Sequence, residues 1–228
     1  MTIQEAIEAR HSVRAYKDQP LADEVARRLE EEIAVVNQKG NLHVQLIRNE
    51  PKAFQGTMAK YGKFRNATNY LVMAGKKAED LDERVGYYGE HLVLLAQTLG
   101  LNTCWVGLSY SKVPGTYVLE EGEKIACYIA IGYGETQGVG HKIKTVGQVS
   151  NASDATLSWF RKGVEAALLA PTAVNQQKFS FEYVGVKDNW HIVKARKGFS
   201  IIGYTGIDLG IVKCHFMIAV GDVCLKWK

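Results

Sequence analysis

Apolar and polar positions in the first 133 residues predict helices and strands in turn. Thr2 and Glu5 form a T-x-x-E capping box ahead of apolar residues on one face, which predicts a helix to about Arg10. A second helix is predicted after Pro20, and a strongly amphipathic third helix ends at Gly100. Short apolar runs predict strands in "LHVQLIR", "NYLVMAG" and "IACYIAIGYG", and a turn or short strand in "TCWVGL".

The rest of the chain shows a similar but shorter pattern. From Gly134 to Asp154 there are few large apolar residues among Gly, Ser and Lys, which predicts a long connection. "LSWFRKGVEAALLA" then predicts a helix that ends before Pro171. We expect "FSFEYVGV" and "WHIVKAR" to form a strand pair, "GIDLGIVKCHF" to form a short helix weakened by glycine, and "MIAVGDV" to form the last strand.

Two short sequences recur in the second part of the chain. "GYYGEHL" at Gly86 returns 117 residues later as "GYTGIDL", and "AVVNQ" at Ala34 returns 138 residues later as "TAVNQ". Both fall in the same order of predicted elements, which indicates two diverged copies of one unit. We therefore predict an α+β fold with mixed sheets flanked by helices, in two pseudo-repeated halves, 1–150 and 151–228, packed as one compact unit.

The difference between the two offsets indicates an insertion of about 20 residues in the first copy, chiefly 49–68. Long insertions in compact domains often serve function, so we expect this one to cover the open face of a ligand site. Phe54, Met58 and Tyr61 would stack on a flat ligand there. The alternative is a structural connection whose lysines are merely solvated.

Composition narrows the class of protein. With 228 residues, 46% of them apolar, the chain can bury a large core, and its net charge of +4 comes from scattered clusters that do not favour nucleic acid. The N-terminus resembles no signal or transit peptide, and no apolar run is long enough to span a bilayer, so we expect a cytoplasmic protein. The spacings of the cysteines and histidines match no metal site and no disulfide framework.

The stretch "EARHSVRAY" places two arginines, a histidine and a serine where the first helix is predicted to end. Cations at that position complement the negative end of a helix, which is the simpler interpretation. Alternatively, Arg10, His11, Ser12 and Arg14 could together bind an oxyanion such as a phosphate. Likewise "APTAVNQQ" is either an ordinary helix exit or a rigid edge that hydrogen-bonds a flat heterocycle.

Taken together, these stretches resemble the flavin-dependent nitroreductase superfamily over nearly the whole chain. "EARHSVRAY" is similar to its R-[RH]-S-x-R-x-[FY] motif, "APTAVNQQ" to its A-P-S-x-x-N-x-Q motif, and "LLAQTLGLNTCWVG" to its A-x-x-L-G-L-x-x-x-W-x-G helix and turn. "IAIGYG" followed by "HKIK" is similar to its last strand and tail. Ordinary members carry the first two motifs near the N-terminus, whereas here they lie 160 residues apart. The resemblance therefore implies a divergent single-chain branch, in which the second half replaces a partner subunit and a monomer can hold one FMN.

The resemblance also implies roles for particular residues. Arg10, His11, Ser12 and Arg14 would hold the FMN phosphate and ribityl chain, helped by Lys142 and Lys144 of the tail. Lys63 would also contact the flavin. The "APTAVNQQ" residues would line the isoalloxazine, and the backbone after Cys104 would face its N5 and O4 edge. No side chain is expected to act as acid or base, and no metal is expected. The implied cofactor-binding residues are Arg10, His11, Ser12, Arg14, Lys63, Cys104, Trp105, Val106, Gly107, Lys142, Lys144, Pro171, Thr172, Asn175 and Gln177.

The function implied by the resemblance is an FMN-dependent oxidoreductase of nitroreductase type. NAD(P)H would reduce the flavin, and a nitroaromatic, a quinone or a similar small molecule would then accept the electrons. Two alternatives remain open from the sequence. One is a nonenzymatic FMN- or nucleotide-binding module, and the other is a different flavin chemistry on the same fold, such as flavin fragmentation or reductive dehalogenation.

Overall fold

The computed structural model describes residues 1–153 and 156–228, without the side chain of Met58. Asp154, where the sequence places the end of the long connection, lies outside the described residues. So does the Met58 side chain, which was expected to take part in a cover over the ligand site.

Two groups of helices and strands follow one another along the chain. The first group has helices α1 (Ile3–Ala9), α2 (Asp23–Gly40), α3 (Thr57–Gly62) and α4 (Leu81–Thr98), with strands β1 (Gln45–Ile47), β2 (Tyr70–Lys76), β3 (Asn102–Val106) and β4 (Glu123–Gly132). The second group has helices α5 (Val146–Val149), α6 (Ser158–Leu168) and α7 (Thr205–Val220), with strands β5 (Phe179–Lys187), β6 (Trp190–Lys197) and β7 (Leu225–Trp227). Single 3₁₀ turns occupy Lys52–Phe54 and Ala173–Asn175. The α+β class predicted from the sequence is therefore confirmed.

The first sheet is antiparallel, with strand order β1-β2-β4-β3. Residues 70–75 of β2 and 127–132 of β4 are buried, as expected for central strands that carry continuous apolar runs. Helix α1 begins with the predicted capping box, in which Glu5 N–H donates to the Thr2 hydroxyl and the Glu5 carboxylate accepts from Thr2 N–H. Helix α4 is followed by Gly100 at φ +79°, a backbone conformation that favours glycine after a helix.

The second sheet has the order β5-β6-β7, with an antiparallel β5–β6 hairpin and a parallel β6–β7 pair. Asp188 and Asn189 both have positive φ in the hairpin turn, which is typical of a type I′ connection. Phe160, Phe181 and Phe216 are buried where α6 and α7 cover this sheet. One core cluster includes buried residues from both groups of elements, so the two parts share a hydrophobic core.

Helices α4 and α7 cross with their backbones in contact. A Cβ atom built on Gly86 would overlap the Ile207 carbonyl oxygen, and one on Gly210 would overlap the Glu83 carbonyl oxygen. Only glycine fits at these two positions. The close crossing joins the two parts of the chain and fixes where α7 begins.

The structure corrects two predictions for the C-terminal part. Helix α7 has 16 residues and is not short, and "MIAV" forms its last turn, so the predicted strand "MIAVGDV" is wrong. Gly210 lies at the crossing with α4, so packing compensates for the low helix propensity of glycine. The last strand is β7, which follows Gly221 at φ +63°.

The two-copy organisation stays a prediction. "GYYGEHL" lies in α4 and "GYTGIDL" begins α7, so these copies meet at the helix crossing. "AVVNQ" lies inside α2, whereas "TAVNQ" forms a 3₁₀ turn, and the two sheets differ in strand number and pairing. The predicted insertion 49–68 contains helix α3 and a 3₁₀ turn.

Candidate functional site

A cavity of about 400 Å³ opens where the two parts of the chain meet. Its volume falls within the range of about 300–1,000 Å³ that is common for small-molecule sites, and its wall is mostly apolar with a few polar groups. The first part supplies the wall from residues 14, 61–64, 105–109 and 127, and the second part supplies it from residues 171, 173, 174, 202, 204, 207, 208 and 211.

Trp105, at the end of β3, is held in the first wall by a hydrogen bond inside the protein. Its indole N–H donates to the Glu90 carboxylate at 2.8 Å, and the ring packs so closely on α4 that a Cβ on Gly89 would lie 2.5 Å from it. Glu90 also lies 2.8 Å from Nε2 of His215 on α7, and both side chains are 0% exposed. Buried hydrogen bonds therefore connect the cavity wall to the crossing of α4 and α7.

The partners of His215 determine where its protons lie. Nδ1 is 3.0 Å from the Ala166 carbonyl oxygen, which can only accept, so Nδ1 carries a proton. Nε2 faces Glu90, and this buried hydrogen bond joins the ring to the carboxylate. The other carboxylate oxygen of Glu90 accepts the hydrogen bond from the Trp105 indole N–H, so both ring nitrogens and both carboxylate oxygens have partners.

Arg14 and Lys63 supply the positive charge of the cavity. Both side chains are exposed and line it, and Lys63 ends α3 in the left-handed conformation at φ 54°. The Arg14 segment is fixed by its backbone, because Val13 N–H donates to Thr103 and Arg65 N–H donates to the Arg14 carbonyl. The backbone that carries Arg14 is therefore anchored to β3 and to residue 65.

Arg10 lies behind the cavity wall and does not line it. Its side chain is 4% exposed, Nη1 donates to the Leu169 carbonyl at a long 3.5 Å, and buried Nε has no hydrogen-bond partner among the described residues. Burial lowers the pKa of Arg10, and the nearby Glu90 carboxylate raises it. Cys104 is also buried, and burial raises the pKa of its thiol, which is therefore a poor nucleophile.

His11 and Ser12 connect Arg10 to Arg14 along the edge of β3. Ser12 forms a parallel bridge with Thr103, and burial lowers the pKa of His11, with Arg10 and His141 acting in the same direction. The whole "RHSVR" stretch is therefore extended chain beside the sheet. Arg10 ends helix α1 as its C-cap.

Part of the second wall is a turn, 172–177, in a strained backbone conformation. Val174, Asn175 and Gln177 all have positive φ, at 46°, 56° and 46°, and Val174 is β-branched, for which this region is a genuine outlier. Val174 is also 74% exposed and lines the cavity. Strain of this kind concentrates at ligand sites, where the surrounding structure holds it in place.

Side-chain hydrogen bonds hold one flank of this turn to the segment 142–144. Gln177 is buried, and its side chain donates to the Lys142 carbonyl at 2.9 Å and accepts from Lys144 N–H at 2.8 Å. Asn175 donates to the same Lys142 carbonyl, and the Lys144 ammonium donates to the Gln177 carbonyl at 2.7 Å. Thr172 accepts from Gln177 N–H at 3.0 Å.

The other flank of the turn is held by α7. Asp208 accepts from Ala173 N–H at 2.9 Å and from the Gln176 amide at 2.6 Å, and the same amide donates to the Gly203 carbonyl. Tyr204 precedes α7 at φ 62°, and its ring lies against the Gly107 backbone, where a Cβ would come within 2.5 Å of it. Tyr204 therefore closes the cavity between the two walls.

The structure brings part of the predicted site together around the cavity. The predicted residues that line it are Arg14, Lys63, Trp105, Val106, Gly107 and Pro171. The other predicted residues do not line it: Arg10, His11, Ser12, Cys104, Lys142, Lys144, Thr172, Asn175 and Gln177. The last five of these hold the turn by hydrogen bonds. Among the described residues, no group of three or more His, Cys, Asp and Glu side chains could hold a metal ion.

The predicted cover over the site stays a prediction for Tyr61 and is wrong for Phe54. Tyr61 lines the cavity and is 80% exposed. Phe54 is 6% exposed and packs on Phe64 and Tyr70, because the 3₁₀ turn that carries it points the ring into the core. Sequence reasoning also missed Tyr204 and Asp208, although both stand in the repeated "GYTGIDL".

Comparisons with known proteins were made on both sequence and fold. A family model described as "Putative TM nitroreductase" matches residues 2–220. No curated protein matches the sequence. None of the helices in the described part of the chain is long and apolar enough to cross a membrane.

Three solved structures illustrate the likeness in fold. A structure from Thermotoga maritima described as "a putative nitroreductase" has a TM-score of 0.63 and 22% identity, with 95% of this chain and 82% of that chain covered. A "nitroreductase-like protein" from Streptococcus mutans has a TM-score of 0.55 and 13% identity, covering 66% and 97% of the two chains. A structure from Desulfovibrio desulfuricans, "a putative nitroreductase in complex with FMN", has a TM-score of 0.50 and 18% identity, covering 65% and 95%.

Proposed function

The chain belongs to the nitroreductase family whose model spans residues 2–220, and we propose that it is an FMN-dependent oxidoreductase using NAD(P)H. The observation that carries this proposal is the cavity between the two parts of the chain. Arg14 and Lys63 line one side of it, and the strained "APTAVNQQ" turn lines the other. The acceptor would be a nitroaromatic, a quinone or a similar flat molecule, and the protein would act in the cytoplasm.

The residues present fit an FMN group. The cavity has the size and the mainly apolar wall of a cofactor site, with exposed cations at one edge. Arg10, His11, Ser12 and Arg14 lie within five residues of one another beside β3, and the exposed Arg14 and Lys63 line the cavity. Cations and N–H donors of this kind are the usual ligands of a phosphate.

When bound, FMN would supply the redox chemistry by accepting a hydride and passing electrons on. The chain's own part is to bind and orient. Arg14 and Lys63 would attract the anionic phosphate and raise the positive potential of the cavity. Trp105, Val106 and Gly107 would provide a fixed edge, and Tyr204 would exclude water from the side where the two walls meet.

We further propose that one chain holds one FMN as a monomer. Both walls of the cavity come from a single chain, so no second subunit is needed to complete it. The predicted division at about residue 150 separates the residues that supply the two walls. This arrangement follows the resemblance stated from the sequence, in which the second half replaces a partner subunit.

The test is to purify the protein, add FMN, remove the excess and measure flavin absorbance together with molar mass by light scattering. We expect about one FMN per chain on a monomer and bleaching of the bound flavin by NADH or NADPH under argon. Reoxidation by a nitroaromatic or a quinone would complete the assignment. A protein that binds no FMN, or that binds FMN without bleaching, would contradict the proposed enzyme.

A further inference from the structure

Asp208 is a buried carboxylate in the wall of the cavity. Its side chain is 2% exposed, and it lies in the first turn of α7. Oδ1 accepts from Ala173 N–H at 2.9 Å, and Oδ2 accepts from the Gln176 amide at 2.6 Å. Both donors belong to the turn that forms the second wall.

Among residues 1–153 and 156–228, no ion pair joins Asp208 to a cation. Lys213, one and a half turns further along α7, pairs instead with Glu83 of α4 at 2.5 Å. Burial raises the pKa of Asp208 to about 6, and its two hydrogen bonds lower it only in part. A buried carboxylate without a cation costs stability, so the fold alone gives no reason to keep one here.

The turn that Asp208 contacts needs external support. Val174, Asn175 and Gln177 are held at positive φ, a conformation that costs about 1–3 kcal/mol for each residue unless the surroundings impose it. Gln177 is fixed by segment 142–144 on one flank. On the flank that faces the cavity, the Asp208 carboxylate accepts from the Ala173 backbone N–H and from the Gln176 side-chain amide.

We propose that Asp208 is a positioning residue, which in its ionised form holds the turn 172–177 in the shape that forms the second wall of the cavity. This inference rests on the proposed function, because the wall is taken to contact FMN. An ionised carboxylate accepts at both oxygens, so it satisfies both donors at once. Protonation removes one acceptor position, so one of the two donors loses its partner on Asp208 and that flank of the turn is held less firmly.

Other titratable groups surround this position, and the experiment must separate them from Asp208. Tyr204 lies one turn earlier beside the same cavity, and burial raises its pKa, so it stays neutral. On α4, Asp82 lies against Gly206, and Glu83 and Tyr87 contact the backbone of Gly210. Asp82 pairs with Lys124 and is half-exposed, which makes it a matched control on the facing helix.

We expect ionisation of Asp208 to lower the stability of the fold and to strengthen FMN binding. The folded protein holds the Asp208 proton more tightly than the unfolded chain, whose pKa is near 3.8, so ionisation between about pH 4 and pH 6 destabilises the fold. Asp208→Asn should therefore raise the unfolding temperature at pH 8. The same variant should loosen the turn and weaken FMN, because the amide cannot accept at both positions.

The first experiment needs no cofactor. In ¹⁵N spectra of the protein without FMN, the Ala173 amide signal should titrate with a midpoint near pH 6, and this titration should vanish in Asp208→Asn but persist in Asp82→Asn. A signal that does not move, or that moves identically in Asp208→Asn, overturns the positioning role whether or not FMN binds.

The second experiment measures FMN affinity by quenching of flavin fluorescence. We expect Asp208→Asn to bind roughly tenfold more weakly at pH 8 while unfolding at a higher temperature, and Asp82→Asn to bind like the original protein. Gln176→Met, which removes the second donor, should weaken FMN without adding to the loss in Asp208→Asn. If Asp208→Asn and Gln176→Met both bind FMN like the original protein, the inference is overturned and the proposed function stands. If the original protein does not bind FMN, only the proposed function is contradicted.

Discussion

The two walls of the cavity are built in different ways. The first wall continues a buried antiparallel sheet, where Cys104, Trp105 and Val106 pair with β4 through backbone hydrogen bonds. The second wall lies outside any sheet and combines the start of α7 with a turn that has three residues at positive φ. The side chains of Gln177 and Asp208 hold this turn. A rigid wall therefore faces one whose shape depends on a few amide and carboxylate groups.

Because the two walls are held differently, we expect substitutions in the first wall to lower stability and substitutions in the second wall to change binding. Sheet residues share their hydrogen bonds with the whole core, so damage to the first wall should destabilise the protein. Side-chain bonds in the second wall hold a local shape, so their loss should change binding first. Strain retained at a ligand site is expected to be offset elsewhere in the fold.

The largest effect should follow from Glu90, which supports the first wall through Trp105. Glu90→Leu would leave the Trp105 N–H and the His215 ring without their buried partner, so we expect a loss of about 3–5 kcal/mol in the free energy of unfolding. Glu90→Gln is the matched control, because its amide can accept from Trp105 and donate to neutral His215. Urea denaturation would measure both variants, and equal losses would show that the hydrogen bonds do not matter.

A smaller effect should follow at Gly107, where the two walls meet. Gly107→Ala would place a Cβ within 2.5 Å of the Tyr204 ring, so the ring must move, at a cost of about 1–3 kcal/mol in unfolding free energy. Gly140→Ala, whose nearest neighbour would be 3.8 Å away, serves as the control. The double variant Gly107→Ala with Tyr204→Ala should recover part of the loss. Absence of recovery in thermal unfolding would indicate that Tyr204 does not limit the space there.

Arg14 should affect binding without affecting stability. Its side chain is exposed, and its backbone is held independently, so Arg14→Ala should leave the unfolding temperature unchanged and weaken FMN about tenfold, or ~1.4 kcal/mol. Riboflavin, which lacks the phosphate, should bind both proteins equally. Arg65→Ala, which removes an exposed arginine paired with Glu135, is the control. An equal loss for FMN and riboflavin would move Arg14 away from the phosphate.

The smallest effect is expected at Tyr61, on the rim of the cavity. Tyr61→Ala should change the rate of flavin reoxidation by a few-fold for flat aromatic acceptors, with FMN affinity and stability kept, because the ring is 80% exposed. Stopped-flow traces with several acceptors would measure this. Phe54→Ala provides the contrast, since removal of a buried ring should cost about 3–5 kcal/mol of stability. Unchanged reoxidation in Tyr61→Ala would exclude Tyr61 from the acceptor site.

Local patterns in the sequence were sufficient for most helices and strands. The capping box at Thr2, the apolar face of α2 and the stop at Gly100 each act within a few residues, so the chain shows them without knowledge of the fold. The same reasoning failed at α7. There Gly210 is stabilised by contact with α4, more than 100 residues away, and local propensity does not include that contact.

In the candidate site, too, some residues could be predicted from local sequence and others only from tertiary packing. The family resemblance pointed to the "RHSVR" cations, the end of β3 and the "APTAVNQQ" turn, because its motifs are contiguous stretches, and each of the three contributes residues to the cavity lining. Sequence reasoning did not locate Tyr204 or Asp208, and it placed Phe54 at the site although its ring is in the core. Which side of a short helix or turn faces the cavity depends on packing, and the residue type alone does not reveal it.

The family could be recognised from the sequence because several contiguous motifs resemble those of its members, and the α+β class could be predicted because hydrophobic periodicity is local. The contact between α4 and α7 depends on tertiary packing and is not visible in local sequence patterns. It brings two distant stretches of the chain around one cavity. Tertiary packing also buries Asp208 with no cation paired to it in the described part of the chain, while Lys213 pairs with Glu83. Burial and neighbours set the energy of a charge, and both arise only when residues far apart in the chain meet.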